Sequence, residues 1–128
     1  MADANRDRAR EFFSAFNEAD RERFTALLAE DVELETLTGP FAGREAAAGW
    51  LKQGRGKVVP HAVCDRFFER DGRELVLIRL QFRRRDNREL LQEADIAAVF
   101  EFAEDGLVKR CEMYQDPAEA LKAIGLGG

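Results

Sequence analysis

Few side chains in this sequence can move a proton near neutral pH. His61 is the only histidine of the chain, and it stands at the start of a strand-like segment. Because a free imidazole titrates at about pH 6.5, His61 is the candidate catalytic base, with an ordinary histidine at the rim of the fold as the alternative. Thr36, Tyr114 and Gln115 carry groups that can donate a hydrogen bond to a bound carbonyl oxygen. Together these side chains would support general acid–base chemistry on a small carbonyl compound.

Other charged and polar side chains lie in alternating segments, where a period of two decides which face they occupy. Glu93 and Asp95 alternate with apolar residues, so they are expected to point away from the core, towards solvent or a dimer partner. Arg79 and Gln81 are expected on the outer face too, although a single β-bulge would turn them inwards. The basic run 83–85 has acids beside it, which indicates a solvated hairpin loop rather than an anion site.

Composition excludes several kinds of partner. The net charge is -5 and the charged residues are mixed in sign, which argues against nucleic acid. No apolar run reaches membrane-spanning length, and the charged amino-terminal sequence lacks the apolar core of a secretory signal, so a cytoplasmic protein is expected. Cys64 and Cys111 stand alone in apolar segments, so reduced thiols are expected rather than a disulfide. Neither cysteine belongs to a metal motif, and no metal or cofactor is predicted.

Helical spacing predicts helices at both ends of the chain. Phe12 and Phe16 belong to the apolar stripe of a first helix, and Asp20 is placed to cap a second. A third helix is predicted over 44–53, carrying Trp50. Asp116 followed by proline is typical of the start of a fourth, short helix.

Period-two alternation predicts a first strand around 32–37, ended by a Gly-Pro pair, and then four longer strands. The longer strands are predicted over 60–70, 74–84, 90–102 and 107–115. Asp-Gly pairs at 71–72 and 105–106 predict tight hairpin turns, because glycine supplies the positive φ that such turns need.

These elements predict one α+β domain over 1–128, with frayed ends at about 1–4 and 125–128. A long antiparallel sheet twists and curls, so we expect it to wrap around the amino-terminal helices as a cone with an internal pocket. Its outer face carries more apolar residues than a solvated face normally shows, which predicts a homodimer through that face. The surplus residues are Leu75, Leu77, Ala97 and Val99.

The inward positions of the helices and strands give the predicted wall of the pocket. Aromatic rings and a thioether would suit a planar apolar ligand, whereas ordinary core packing is the alternative for each residue. The predicted pocket residues are Phe12, Phe16, Leu34, Thr36, Trp50, Ala98, Phe100, Cys111, Met113 and Gln115.

The order of elements and four motifs resemble the nuclear-transport-factor-2-like superfamily, and most of all its SnoaL-like polyketide cyclase branch. The motifs are Gly-Pro-Phe-Ala-Gly at 39–43, Trp50, Phe-Glu-Phe-Ala-Glu-Asp-Gly at 100–106 and Tyr-Gln-Asp-Pro at 114–117. The resemblance covers nearly the whole chain. It implies a cone-shaped, cystatin-like fold, a pocket for a small apolar organic ligand, a homodimer, and enzymes that work without a metal.

The catalytic groups of the best-defined enzymes in this superfamily are not matched. Ketosteroid isomerase uses an aspartate base, a tyrosine and a protonated aspartic acid, and the matching positions hold Thr36, Phe12 and Ala98. A threonine hydroxyl is hardly ionised near neutral pH, so it cannot serve as the base alone. The limonene-epoxide-hydrolase triad is broken at Met113, and a scytalone-dehydratase pattern needs more histidines than His61.

Two classes of function stay open. One is a cofactor-independent SnoaL-like enzyme, such as a cyclase, isomerase or lyase, that acts on an apolar carbonyl compound. Its base would be His61 or an inward-turning acid, and Thr36 or Gln115 would be the hydrogen-bond partner. The other is a non-catalytic module that binds a small molecule or dimerises. Neither function calls for nucleic acid or a membrane.

Overall fold

The computed structural model describes residues 2–53 and 55–126. The predicted frayed ends include Met1, Gly127 and Gly128, which lie outside the described residues, whereas the first helix already begins at Ala2. In this part of the chain the elements follow in the order α1 (Ala2–Glu18), α2 (Arg21–Ala26), β1 (Leu28–Thr36), β2 (Gly39–Ala42), α3 (Arg44–Lys52), β3 (Val58–Arg70), β4 (Arg73–Arg84), β5 (Leu90–Phe102), β6 (Val108–Tyr114) and α4 (Pro117–Ala123).

The strands form one curved sheet in the order β2-β1-β6-β5-β4-β3, which confirms the predicted α+β class. Neighbouring strands are antiparallel except β1 and β6, which run parallel with Leu34 beside Cys111. The sequence pattern had not predicted β2, because its Gly-Pro start indicates the end of a strand. Pro40 is tolerated there since β2 is an edge strand and needs no donor on its outer side.

The long strands end where the alternation and the turn residues predict. At the β3–β4 turn Asp71 and Gly72 both have positive φ, 53° and 79°, as the tight hairpin requires. The side chains of Arg79 and Gln81 both reach Glu93 on the outer face, at 3.9 Å and 2.9 Å. The period-two prediction for these residues is therefore confirmed.

The helices α1, α2 and α3 cover the concave face of the sheet with aromatic side chains. The ring of Phe12 is fully buried and lies 4.9–5.0 Å, between centroids, from the rings of Phe13, Phe24 and Phe100. Asp20 caps α2 by accepting the amide hydrogen of Arg23, as predicted. This packing fills one part of the concave side, beside Phe12 and Phe13 in the carboxy-terminal half of α1.

The fourth helix packs on the opposite, outer face of the sheet. Asp116 caps it by accepting the amide hydrogen of Ala118. Its buried Ala120 and the buried Ile124 that follows its last residue join a second apolar cluster with the sheet. That cluster includes the four outer-face residues of the predicted apolar surplus, Leu75, Leu77, Ala97 and Val99. The apolar surplus that predicted a homodimer is thus covered, at least at this end of the sheet, by the chain's own α4.

Candidate functional site

An open cavity of about 290 Å³ lies between the helices and the concave face of the sheet. Most elements that surround it contribute a wall residue near one of their ends, as Trp50 does in α3 and Met113 in β6, whereas β5 contributes Ile96 from its middle. The wall consists of Phe13, Phe16, Leu37, Thr38, Trp50, Gln53, Pro60, Ala62, Leu80, Phe82, Ile96 and Met113.

A stacked pair of rings forms one side of the cavity. The rings of Phe16 and Trp50 lie 5.3 Å apart with an angle of 27° between their planes. The guanidinium of Arg55 lies 4.9 Å from the centroid of the Phe16 ring and donates to the carbonyl oxygens of Leu51 and Phe16. These contacts hold the aromatic side in place, which suits the face of a planar apolar molecule.

The cavity wall is almost free of polar groups. Thr38 and Gln53 are its polar members, and both are exposed, so they lie at the open end. No side chain that titrates near neutral pH belongs to the wall in the described part of the chain. The arrangement can exclude water from an apolar body and offer hydrogen bonds at the mouth.

Only some of the residues predicted for the pocket meet in this wall. Phe16, Trp50 and Met113 are part of it. Five others are buried in the packed core behind it, because the inner face of a curved sheet serves both the core and the cavity. Those five are Phe12, Leu34, Ala98, Phe100 and Cys111.

Thr36 and Gln115 are the predicted hydrogen-bonding residues, and the structure places both outside the wall. The hydroxyl of Thr36 donates to the carbonyl of Gly39 at 2.8 Å and accepts the amide hydrogen of Thr38 at 3.2 Å, so it closes the β1–β2 turn. Gln115 follows the end of β6 and is exposed. Tyr114 lies on the outer face beside α4, with its hydroxyl 3.4 Å from the carboxylate of Glu112.

His61 is half-buried in an open groove between α1 and β3, and it does not belong to the wall of the aromatic cavity. In the β3–β4 register His61 stands opposite Gln81, which lies on the outer face of the sheet. Burial lowers the pKa of the imidazole, and the positive charges of Arg88 and Arg83 lower it further. No carboxylate is hydrogen-bonded to the ring among the described residues, so nothing orients it as a base.

Sequence reasoning missed the wall residues at the ends of elements. Leu37 and Thr38 belong to the β1–β2 turn and Gln53 follows α3, and such positions carry no periodic signal. Pro60 and Phe82 could have been found, since they are partners across β3 and β4 on the inward side of the sheet.

A buried carboxyl, Glu74, was also missed. Its side chain is 1% exposed, and neither carboxyl oxygen has a hydrogen-bond partner in the described structure. Burial raises its pKa to about 7, Glu69 adds to the rise and Arg6 opposes it. The sequence pattern could have identified it as an inward residue, because Glu74 stands two residues before the inward Val76 in the alternation of β4. Glu74 pairs with Phe100 of the packed core and is not part of the cavity wall.

The described residues contain neither a cluster of metal ligands nor a membrane-spanning helix. Nowhere in 2–53 and 55–126 do three or more histidine, cysteine or acidic side chains gather as metal ligands. No helix of these ranges is long and apolar enough to cross a bilayer. Cys64 and Cys111 are both free thiols, as predicted, and burial raises the pKa of Cys64 to about 11.

Solved structures with a similar fold include three bacterial proteins. RV0760c of Mycobacterium tuberculosis in complex with estradiol-17beta-hemisuccinate has a TM-score of 0.73 and 17% identity, covering 87% of this chain and 92% of its own. The Delta 5-3-ketosteroid isomerase of a Mycobacterium species has a TM-score of 0.72 and 16% identity, with coverage of 87% and 92%. An NTF2-like protein of unknown function from Cytophaga hutchinsonii has a TM-score of 0.69 and 17% identity, with coverage of 91% and 94%.

At these identities the likeness shows a common nuclear-transport-factor-2-like fold. No curated protein sequence is significantly similar to the chain. A family model described as SnoaL-like domain matches residues 9–111, which is most of the sequence. The chain therefore belongs to the SnoaL-like domain family.

Proposed function

We propose that this domain binds a small, apolar, carbonyl-bearing molecule in the aromatic cavity and does so without chemical turnover. The observation that carries the proposal is the cavity wall, which is apolar inside and has its polar members, Thr38 and Gln53, at the mouth. Apolar burial would supply the affinity, and the polar mouth would fix the orientation of the carbonyl group.

The cavity's size narrows the ligand to a compact body. Its volume of about 290 Å³ is at the lower end of the usual range for ligand pockets, which is about 300–1,000 Å³. A fused-ring ketone would stack on Phe16 and Trp50 and place its oxygen near Gln53. The complex of RV0760c with an estradiol derivative supports this ligand class, since that protein has a similar fold.

The alternative is a cofactor-independent cyclase, isomerase or lyase. Such an enzyme needs an acid or base within hydrogen-bond reach of the bound substrate. His61 faces a different groove, and Glu74 lies in the packed core. The absence of an ionisable group from the described cavity wall supports binding rather than proton transfer, and neither a metal nor a cofactor is needed for binding.

Fluorescence of Trp50 tests the binding proposal, because it is the one tryptophan of the chain and lies in the cavity wall. Titration with the planar ketone 2-acetonaphthone should quench it in a saturable way. Ala62→Phe fills the cavity and should weaken binding more than about tenfold. Val63→Phe is the matched control, since Val63 is the next residue on β3 and is 37% exposed. Equal affinity for both variants, each verified as folded, would contradict the proposal.

Proton exchange tests the enzyme alternative without knowledge of the natural substrate. A base poised beside a bound ketone would speed exchange of its methyl protons with heavy water, which NMR detects. We expect the exchange of 2-acetonaphthone to run at the buffer rate in the presence of the protein. If the protein accelerates the exchange and a folded His61→Ala variant does not, the protein is a catalyst and the binding-only proposal is wrong.

We also propose a homodimer through the part of the outer sheet face that α4 leaves open. That surface carries side chains of both charge signs, with Arg79 next to Glu93, so two copies related by a twofold axis can pair opposite charges. The expected cytoplasmic location stays a prediction.

A further inference from the structure

Beside the mouth of the aromatic cavity lies a second, open hollow of about 410 Å³ with a basic lining. It is lined by Gly56, Lys57, Arg84, Arg85 and Asp86. The β3–β4 register shows how close the hollow is to the cavity. Pro60 pairs with Phe82 in the cavity wall, and two residues further along the strands Val58 pairs with Arg84 of the hollow. At a rise of about 3.3 Å per residue, the hollow begins about 7 Å beyond the cavity wall, on the same side of β4.

Two arginines connect the hollow to the cavity. Arg55 stacks on Phe16 of the cavity wall, and the nearby charge of Arg85 lowers the pKa of Arg55 in addition to the effect of burial. Arg85 donates from Nε to the carbonyl of Gly56 at 2.8 Å, and its own amide donates to the carbonyl of Lys57 at 2.8 Å. The backbone therefore holds the β4–β5 hairpin against the α3–β3 loop, with two guanidinium groups close enough to repel each other.

The nearby acids offset only part of this positive charge, since Asp86 lines the hollow together with Lys57, Arg84 and Arg85. Glu89 pairs with Arg84 at 3.4 Å, and Asp86 accepts the amide hydrogen of Asn87 within the hairpin. None of the ion pairs formed in the described part of the chain includes Arg55, Lys57 or Arg85. A local excess of positive charge thus stands at the cavity mouth of a chain whose net charge is -5.

We propose that the natural ligand carries a carboxylate on a short tether, held by Arg55 and Arg85 while the apolar body fills the cavity. This rests on the proposed binding function and narrows its ligand to an apolar acid. The fork of a guanidinium matches a carboxylate in two parallel hydrogen bonds, and binding an anion would also relieve the repulsion between the two cations. The basic hairpin, which the sequence indicates as merely solvated, then has a role in selecting the ligand.

A pair of ligands that differ only in charge tests the inference. The probes are 3-(2-naphthyl)propionate and its primary amide, titrated against the whole chain by calorimetry at low salt. We expect the acid to bind about tenfold more tightly than the amide, and the preference to shrink at high salt. Arg85→Gln, which leaves the cavity wall untouched, should remove most of the preference, and Arg55→Gln with Arg85→Gln all of it. In Arg85→Gln the affinity for the amide should fall much less than the affinity for the acid, because the amide carries no charge.

The control is a variant that loses the same charge elsewhere. Arg21→Gln with Lys109→Gln removes two exposed cations of α2 and β6 and should keep the preference for the acid. Amide and acid binding with equal affinity would overturn the carboxylate inference and leave the proposed binding function standing. A preference that survives the double variant at 55 and 85 would overturn it too. If neither probe binds, both the carboxylate inference and the proposed binding function are wrong.

Discussion

Glu74 is the residue whose environment fits its chemistry least. Its carboxyl is buried on the concave side of β4, and no hydrogen bond to either oxygen is formed within the described residues. Arg6 on α1 attracts the charged form and Glu69 on β3 repels it, but burial has the largest effect and raises the pKa to about 7. The side chain is therefore about half protonated at neutral pH, and the folded state prefers the neutral form.

Replacing this carboxyl should change stability in a pH-dependent way. The folded pKa, about 7, is above the unfolded value of about 4.3, so the stabilising contribution is complete below the unfolded pKa and is lost as the pH rises through 7. Glu74→Gln keeps the shape without the charge. We expect its free energy of unfolding to exceed that of the wild type by about 1–3 kcal/mol at pH 8 and to differ little at pH 4.

Urea unfolding at the two pH values measures this difference. Glu45→Gln is the control, because Glu45 is an exposed acid on α3 and does not contribute to the pKa shift of Glu74. A gain in stability for Glu74→Gln that is the same at both pH values would contradict a titrating carboxyl.

At the residue scale, the sequence predicted which face of the sheet a residue occupies better than whether that residue lies in the packed core or in the cavity wall. Alternation placed Leu34 and Phe100 inwards, and both are buried. It could not tell packed core from cavity wall, because that depends on how far the helices stand from the sheet. Thr36 shows the same limit: its hydroxyl is engaged in the four-residue turn 36–39, which a period of two does not describe.

At the scale of elements, β3 is the edge strand opposite β2, and α1 protects its backbone. The side-chain amide of Asn17 donates to the carbonyl of Ala62 at 2.9 Å and accepts its amide hydrogen at 2.7 Å. One side chain thus takes the place of a neighbouring strand at this point. An edge that is covered in this way is less available for pairing with another chain.

Removing this contact should loosen α1 from the edge strand. Asn17→Ala leaves the buried amide and carbonyl of Ala62 without their partner, so we expect a loss of about 1–3 kcal/mol in the free energy of unfolding. Hydrogen exchange at the Ala62 amide should speed up more than at core amides of β5. Ser14→Ala, on the same helix, should leave that amide protected. Unchanged exchange at Ala62 in Asn17→Ala would show that the edge is protected by something else.

The local signals for elements were sufficient for the long strands and for the capped helices. Asp-Gly pairs fix the turns at Gly72 and Gly106, where φ is positive. The parallel contact of β1 with β6 was not predictable in the same way, because it pairs residues 77 to 80 positions apart through a register that no local pattern encodes. That contact joins β1 and the turn after it to the rest of the sheet, so Leu37 and Thr38 of the cavity wall depend on the least predictable pairing.

At the scale of the whole molecule, the two sheet faces have separate roles. The concave face holds the core and the cavity, while the outer face is divided between α4 and an open surface. Ile124 of the α4 region is 2% exposed and covers apolar residues that would otherwise favour association. Any dimer contact on this side must therefore use the open surface, where charged side chains predominate.

The predicted homodimer is tested at that open surface. Arg79 and Glu93 lie 3.9 Å apart there and are 48% and 39% exposed, so a twofold contact would bring opposite charges together across the axis. Sedimentation velocity should show a dimer at micromolar concentration for the wild type. Glu93→Arg places like charges at the contact and should shift the dimer dissociation constant more than about tenfold upwards. Glu45→Arg, the same charge change on exposed α3, should leave it unaltered. A wild type that sediments as a monomer would show the homodimer prediction to be wrong.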